Sequence, residues 1–216
     1  MLKEDLLLDS ARQFSDANQD ENHHGRQESI IPGVPFSCQD SKESIWYVLR
    51  VSYSREMKVK ALLEERGVRT FVPMEWKKKE KDGKQIKVLE PAVSNLCFAK
   101  SSKEQLDEFI HGYGDNSPVH YYWDRTASRP MTVRDKVMDD FIKVASAIDQ
   151  DILYIKEITP KLSEGTTVMV KEGPFAGVEG KVVRIKKSRR IVVELPGMMA
   201  VATTYIAPEV LEILDY

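Results

Sequence analysis

The first clearly patterned apolar run is IWYVLRV at 45–51, rich in β-branched and aromatic residues, which predicts a strand. Helical spacing takes over in SREMKVKALLEERG. There Val59, Leu62 and Leu63 share a face, Ser54 stands where an N-cap belongs, and Gly67 offers a left-handed stop. VRTFVP predicts the next strand, ended by Pro73. In EWKKKEKDGKQIKVLEP two alternating halves flank Asp82-Gly83, a pair that tight hairpin turns favour. NLCFAK (95–100) predicts an apolar strand. SSKEQLDEFIHG places Ser102 and Gln105 at capping-box spacing, Leu106, Phe109 and Ile110 on one face, and Gly112 as the stop. VHYYW predicts another strand. Val133, Val137, Phe141, Val144 and Ile148 form one stripe, which predicts an amphipathic helix over 132–148.

From Thr166 the pattern holds strands only: TTVMV, GKVVRI, RIVVEL, MMAVATTYI and VLEIL. Five short strands at turn spacing predict a small SH3-like β-barrel. The preceding order, β-α-β-hairpin-β-α-β-α, predicts an α+β sandwich, an antiparallel sheet with helices on one face. The expected organisation is an acidic, mostly disordered extension over 1–44, an α+β domain over 45–150, a linker over 151–165 and the barrel over 166–216. Within the extension, Leu2, Leu6, Leu7 and Phe14 fit one face of a short helix, but the composition favours a frayed tail. His23 and His24 are adjacent and would diverge in a helix, so they predict no metal site.

In the barrel, Gly173-Pro174 predicts a turn around an exposed Phe175, Gly177 a tight bend, and Gly180 the entry to the strand 181–185. Lys186, Lys187, Arg189 and Arg190 then cap a hairpin around Ser188. Any small barrel needs such glycines, and a basic turn is commonly only solvated.

Charge changes the picture in two ways. The 216 residues hold 32 Lys and Arg against 34 Asp and Glu, a formal net charge of −2, which argues against a bulk polycationic nucleic-acid binder. The first 44 residues, however, carry nine acids against four bases, so an acidic extension precedes a mildly basic body. Cys38 and Cys97 have no pairing spacing, and a reduced, cytoplasmic protein is expected. MLKEDLLLDSARQF has acids where a signal peptide needs bases, and no apolar stretch approaches the roughly 20 residues of a membrane span. Catalysis, cofactor and metal are not expected. There is no P-loop, dinucleotide fingerprint or metal-ligand spacing; His111 adjoins a helix stop, His120 lies in an aromatic strand, and Cys97 sits in an apolar strand that would keep it inert.

VKEGPFAGVEGKVVRI resembles a KOW motif. Upstream, WYVLRVSYSREMKVKALLEERGV followed by VP resembles the start of the N-terminal domain of the NusG family, and 132–148 after SRPMT resembles that domain's final helix. Together, in this order, the blocks resemble NusG-type transcription elongation factors over 45–214. The chain departs from the family at Val93, Ser94, Asn95 and Leu96, where an aromatic, Pro, a small residue and Tyr are common. PGMMAVATTYI also lacks the more polar pattern of the housekeeping factor. With its acidic extension, the chain is most similar to specialised antiterminators acting at capsular-polysaccharide operons.

The resemblance implies a non-enzymatic mechanism. The N-terminal domain docks on the clamp helices of RNA polymerase's largest subunit, bridges the DNA channel and suppresses pausing, and specialised members also touch non-template DNA. Arg50, Val93, Leu96 and Phe98 fall at the implied polymerase contact, where Val93 and Leu96 suit an apolar helix-in-groove pocket and Phe98 reads more as core. For non-template DNA or nascent RNA, Arg55 and Lys58 begin the first helix, where free backbone N–H groups suit a phosphate. Lys77, Lys78, Lys79, Lys81 and Lys84 form the densest basic patch, and Trp76 beside them either stacks on a base or packs on its own sheet. The barrel loop Gly173, Phe175, Gly177, Val178 and Gly180, with the tip Lys186, Lys187, Arg189 and Arg190, is implied to meet a ribosomal protein or termination factor. A rival reading is an RNA- or ribosome-binding KOW protein, against which the upstream match argues.

Overall fold

Residues 44–214 are described by a computed structural model, apart from 82, 149, 157–158, 160–163 and 186. The acidic extension, with Leu2, Leu6, Leu7, Phe14, His23 and His24, lies outside the described residues, as do Asp82 and Lys186.

The first half runs β1 (Ile45–Val51), α1 (Glu56–Glu64), β2 (Arg69–Phe71), β3 (Met74–Lys81), β4 (Lys84–Pro91), β5 (Leu96–Ser101), α2 (Lys103–His111), β6 (Val119–Tyr121), β7 (Trp123–Asp124), β8 (Arg129–Pro130), β9 (Thr132–Val133) and α3 (Asp135–Ala145). Its main sheet is antiparallel in the order β2-β5-β1-β6, with β9 also paired to β1. β3 and β4 form a separate hairpin, turned by Gly83 at φ 72°.

Alternation along β1 and β5 sorts the core into two layers. Tyr47, Leu49, Val51, Cys97 and Ala99 pack with Val59 and Leu63 of α1 and Leu106 and Phe109 of α2. Trp46, Val48, Leu96 and Phe98 occupy the other face and pack with Met138, Phe141, Val144 and Ala145 of α3. The expectation of helices on one face is therefore corrected: both faces are covered. β1 and β5 are apolar on both alternating sets, so neither face can be left to water.

Helix ends follow local chemistry, with exceptions. Ser102 Oγ accepts the Gln105 N–H at 3.2 Å, the expected N-cap bond. Ser54 does not cap α1: it lies at φ 52°, and the cap position passes to Arg55, which makes no side-chain cap bond. Gly67, at φ 74°, makes the left-handed stop, whereas Gly112 stays right-handed and Gly114 takes the positive φ. α3 begins at Asp135, because Val133 is committed to β9 opposite Trp46.

The second half is β10 (Leu153–Ile155), β11 (Thr167–Val170), β12 (Glu179–Ile185), β13 (Ser188–Leu195), β14 (Met199–Tyr205) and β15 (Leu211–Ile213), in the order β10-β14-β13-β12-β11-β15. β10 falls inside the stretch expected as a linker, where its apolar triplet covers the edge of β14. Arg190 fixes this arrangement, its guanidinium bonding the Asp151 carboxylate and the backbone oxygens of Asp151 and Thr203.

One face of this sheet is continuous with the α3 layer. Val168, Val170, Phe175, Val178, Ile191, Val193, Leu195, Met199 and Val201 share a buried cluster with Phe141 and Val144. Polar bonds fix the contact: Lys136 Nζ donates to Asp140 at 2.7 Å and to the Gly177 oxygen at 2.9 Å, and Lys143 Nζ donates to the Ala176 oxygen.

Two substitutions test this packing. A Cβ at Gly180 would stand 2.6 Å from the Val192 oxygen and 2.7 Å from Ile191 Cγ2. Gly180→Ala is expected to cost about 1–3 kcal/mol and lower the thermal midpoint by several degrees; an unchanged midpoint would contradict the close approach. Leu96 is 1% exposed, so Leu96→Asp is expected to destabilise by about 4 kcal/mol or more, read as lost near-ultraviolet circular dichroism, and a native spectrum would remove Leu96 from the core.

Candidate functional site

The implied polymerase contact divides between core and rim. Leu96 and Phe98 are buried beneath α3, with the Phe98 and Phe141 ring centroids 5.9 Å apart. The expected apolar pocket is thus already filled by the protein itself. Arg50 lies on the same face of β1, opposite Leu96 on one side and His120 on the other, and both Arg50 and His120 are exposed. Beside them runs the loop 92–95, where Val93 is half-buried against the core and Ser94 is exposed. Asn95 adopts φ 64°; its N–H donates to the Glu56 carboxylate and its oxygen accepts from Val51 N at 3.0 Å. Glu56, 2% exposed, therefore pins the loop that presents Val93. Nothing in the local sequence distinguishes Glu56 from other first-turn acids; only the fold brings it to Asn95.

Arg55 and Lys58 are exposed at the start of α1, as expected, and a residue the sequence did not single out joins them. Tyr53 is 83% exposed, and the Arg55 guanidinium lies 5.8 Å from its ring centroid. Tyr53 and Ser54 take consecutive left-handed conformations at φ 62° and 52°, which cost about 1–3 kcal/mol each and hold the tyrosine outward.

In the β3–β4 hairpin, the pairing register separates the lysines by face. Lys77 bonds the Pro91 oxygen at 3.0 Å and lies 3.4 Å from Glu75, and Lys79 pairs with Glu90. Lys81 and Lys84 stand opposite each other on that same face at the exposed tip. The other face carries Trp76, 47% exposed and opposite Leu89, and Lys78 opposite Lys87. Lys87 belongs to this surface only through register, beyond the reach of a count along the chain.

The barrel loop departs most from expectation. Gly173 and Gly177 take the positive φ values their turn needs, 86° and 81°, but Phe175 is 3% exposed and Val178 is fully buried in the cluster shared with α3. Phe175 turns inward because the α3 surface offers it an apolar neighbour. At the tip, Lys187 and Arg189 are exposed, with Arg189 opposite Arg184. Arg190 is corrected from surface to interior: 8% exposed, it serves Asp151 and Thr203.

Cys97 lies away from these surfaces, buried in the sheet. Burial pushes the Cys97 thiol up to about 12, which suppresses its nucleophilic thiolate. Among the described residues no group of three His, Cys, Asp or Glu side chains could hold a metal ion, and no helix is long and apolar enough to cross a membrane.

Comparison with known proteins places the chain in a family. The family model described as transcription termination factor nusG matches residues 44–142, and the model of the KOW motif matches residues 164–194. Among solved structures, one from Thermotoga maritima, titled "Domain interaction in Thermotoga maritima NusG", is similar at 16% identity, covering 80% of this chain and 98% of that one with a TM-score of 0.41. No curated protein matches the chain. The first match spans the sheet, its hairpin and most of α3, the second begins the following β domain, and the chain accordingly belongs to the NusG family of transcription factors, with a NusG N-terminal domain followed by a KOW domain.

Proposed function

We propose that this chain is a transcription elongation and antitermination factor that binds the clamp helices of RNA polymerase's largest subunit through residues 45–150. The observation that carries this reading is the NusG match and the KOW match, in that order, on one chain. Bound there, the domain promotes processive elongation without any covalent step. Its departures at 93–96 and its acidic extension support service to particular operons, of the capsular-polysaccharide kind, in the cytoplasm.

Within this reading the contact falls on the rim rather than in a pocket. Val93 supplies an aliphatic surface and Arg50 a charge, while Leu96 and Phe98 act from beneath by holding the strand that supports them. Arg55, beside the exposed Tyr53 ring, and Lys58 meet the non-template strand or the transcript as it passes. The exposed Arg184–Arg189 pair and Lys187 support a second reading, in which the KOW domain contacts RNA or the ribosome through its basic tip.

Capture of purified RNA polymerase by the full chain separates the two. Val93→Asp is expected to leave thermal unfolding within about 1 kcal/mol of the parent and to weaken capture about tenfold or more. Undiminished capture by the folded variant would remove the 92–95 rim from the contact. No capture by the parent chain, with RNA binding lost on Arg184→Gln/Arg189→Gln, would give the function to the KOW domain.

A further inference from the structure

Glu56 keeps a carboxylate where a carboxylate is costly. It is 2% exposed, and among the described residues it forms no ion pair. An acid in the first turn of α1 would gain the same favourable helix dipole while still solvated, so the dipole does not account for its burial. What the burial achieves is the bond from the Asn95 N–H, from a residue 39 positions further along the chain. That bond closes a two-residue tip. Before the tip, Ala92 is 1% exposed and donates its N–H to the Pro73 oxygen at 2.8 Å. After it, Asn95 accepts from Val51 N at 3.0 Å and stands at φ 64°. Asparagine tolerates this left-handed backbone, and the carboxylate that holds its N–H favours it over the extended alternative. Only Val93 and Ser94 lie between the two anchors, on the rim beside Arg50.

We infer that Glu56 is a positioning residue for the polymerase contact: its buried carboxylate holds the Asn95 amide and so fixes the orientation in which Val93 and Ser94 meet the clamp helices. The inference rests on the transcription-factor reading for the identity of the partner. A tip of two short side chains buries little area, so its affinity depends on how little ordering remains to be done on binding. Released from Glu56, the tip would keep its side chains and lose its direction. Glu56 itself touches no partner, because Asn95 and the start of α1 cover it.

Two conservative variants of the full chain separate this role from support of the helix start. Glu56→Gln keeps an acceptor at the same reach and loses the charge; Glu56→Asp keeps the charge at the start of α1 and draws the carboxylate back from Asn95. Affinity for purified RNA polymerase is read by interferometry well below the thermal midpoint of every variant. Glu56→Asp is expected to weaken it about fivefold or more, and Glu56→Gln to stay within about threefold of the parent. In a Val93→Ala background, Glu56→Asp is expected to cost less than about twofold, because the side chain it orients is already gone. Exchange of the Asn95 amide is expected to speed about tenfold in Glu56→Asp and to stay near the parent rate in Val192→Ala. Val192 is buried in the KOW domain, in a cluster apart from α3, so Val192→Ala lowers stability without touching the rim. Undiminished affinity in Glu56→Asp, a loss in Glu56→Gln that matches or exceeds it, or an equal loss in Val192→Ala would overturn the inference. An undiminished cost of Glu56→Asp in the Val93→Ala background would do the same. Failure of the parent chain to bind polymerase sinks the transcription-factor reading itself, whereas parent binding that survives Glu56→Asp sinks the positioning role alone.

Discussion

Helix α3 must bury two sides at once, and the rest of the molecule is arranged around that requirement. Phe141, Met138 and Val144 are fully buried, between the NusG-domain sheet and the apolar face of the KOW domain. Burying each such side chain is worth about 1.5–3 kcal/mol, so separating the two domains would expose a substantial apolar surface. The contact is also keyed by charge. Asp140, 6% exposed, accepts from Lys136 and from the Glu179 backbone N–H at 3.3 Å, and removing those donors would strand a carboxylate in the interface. Partial burial alone would pull the Lys136 ammonium down; its bonds to Asp140 and Glu179 more than offset this and hold it above the ordinary lysine value.

This constraint decides which chemistry is left for partners. The apolar residues with the shape of contact groups, Leu96, Phe98, Phe175 and Val178, are taken up by the core on either side of α3. Among the groups that face outward are basic and aromatic ones: Arg50, Tyr53 with Arg55, Trp76 with Lys78 and Lys87, and the Arg184–Arg189 pair. Such groups recognise anions and flat rings, and their contacts weaken with salt. An isolated two-stranded hairpin is marginal in water, and the Tyr154 bond to Met74 is one way this one is tethered at its base. The connector that supplies Tyr154 is in turn held by Arg190, so a residue suited to a surface role instead holds a distant loop in place.

The sequence by itself determined most elements and their order, but not β9, which took the expected start of the last helix, nor β10, which fell in the expected linker. Strand periodicity located β1, β5 and the β-only second half, the Asp82-Gly83 pair located the hairpin, and Ser102 with Gln105 located the start of α2, because each depends on chemistry within a few residues. The family blocks were legible for the same reason, being contiguous stretches. Tertiary structure alone decided which side of each residue meets protein. Phe175 looked like a loop tip offered to a partner and became core once α3 lay against it. Arg190 looked like part of a basic tip and became a buried anchor once Asp151 came within reach, and five clustered lysines became two faces once β3 and β4 were in register. Burial and pairing depend on neighbours far away along the chain, and local pattern carries no record of them.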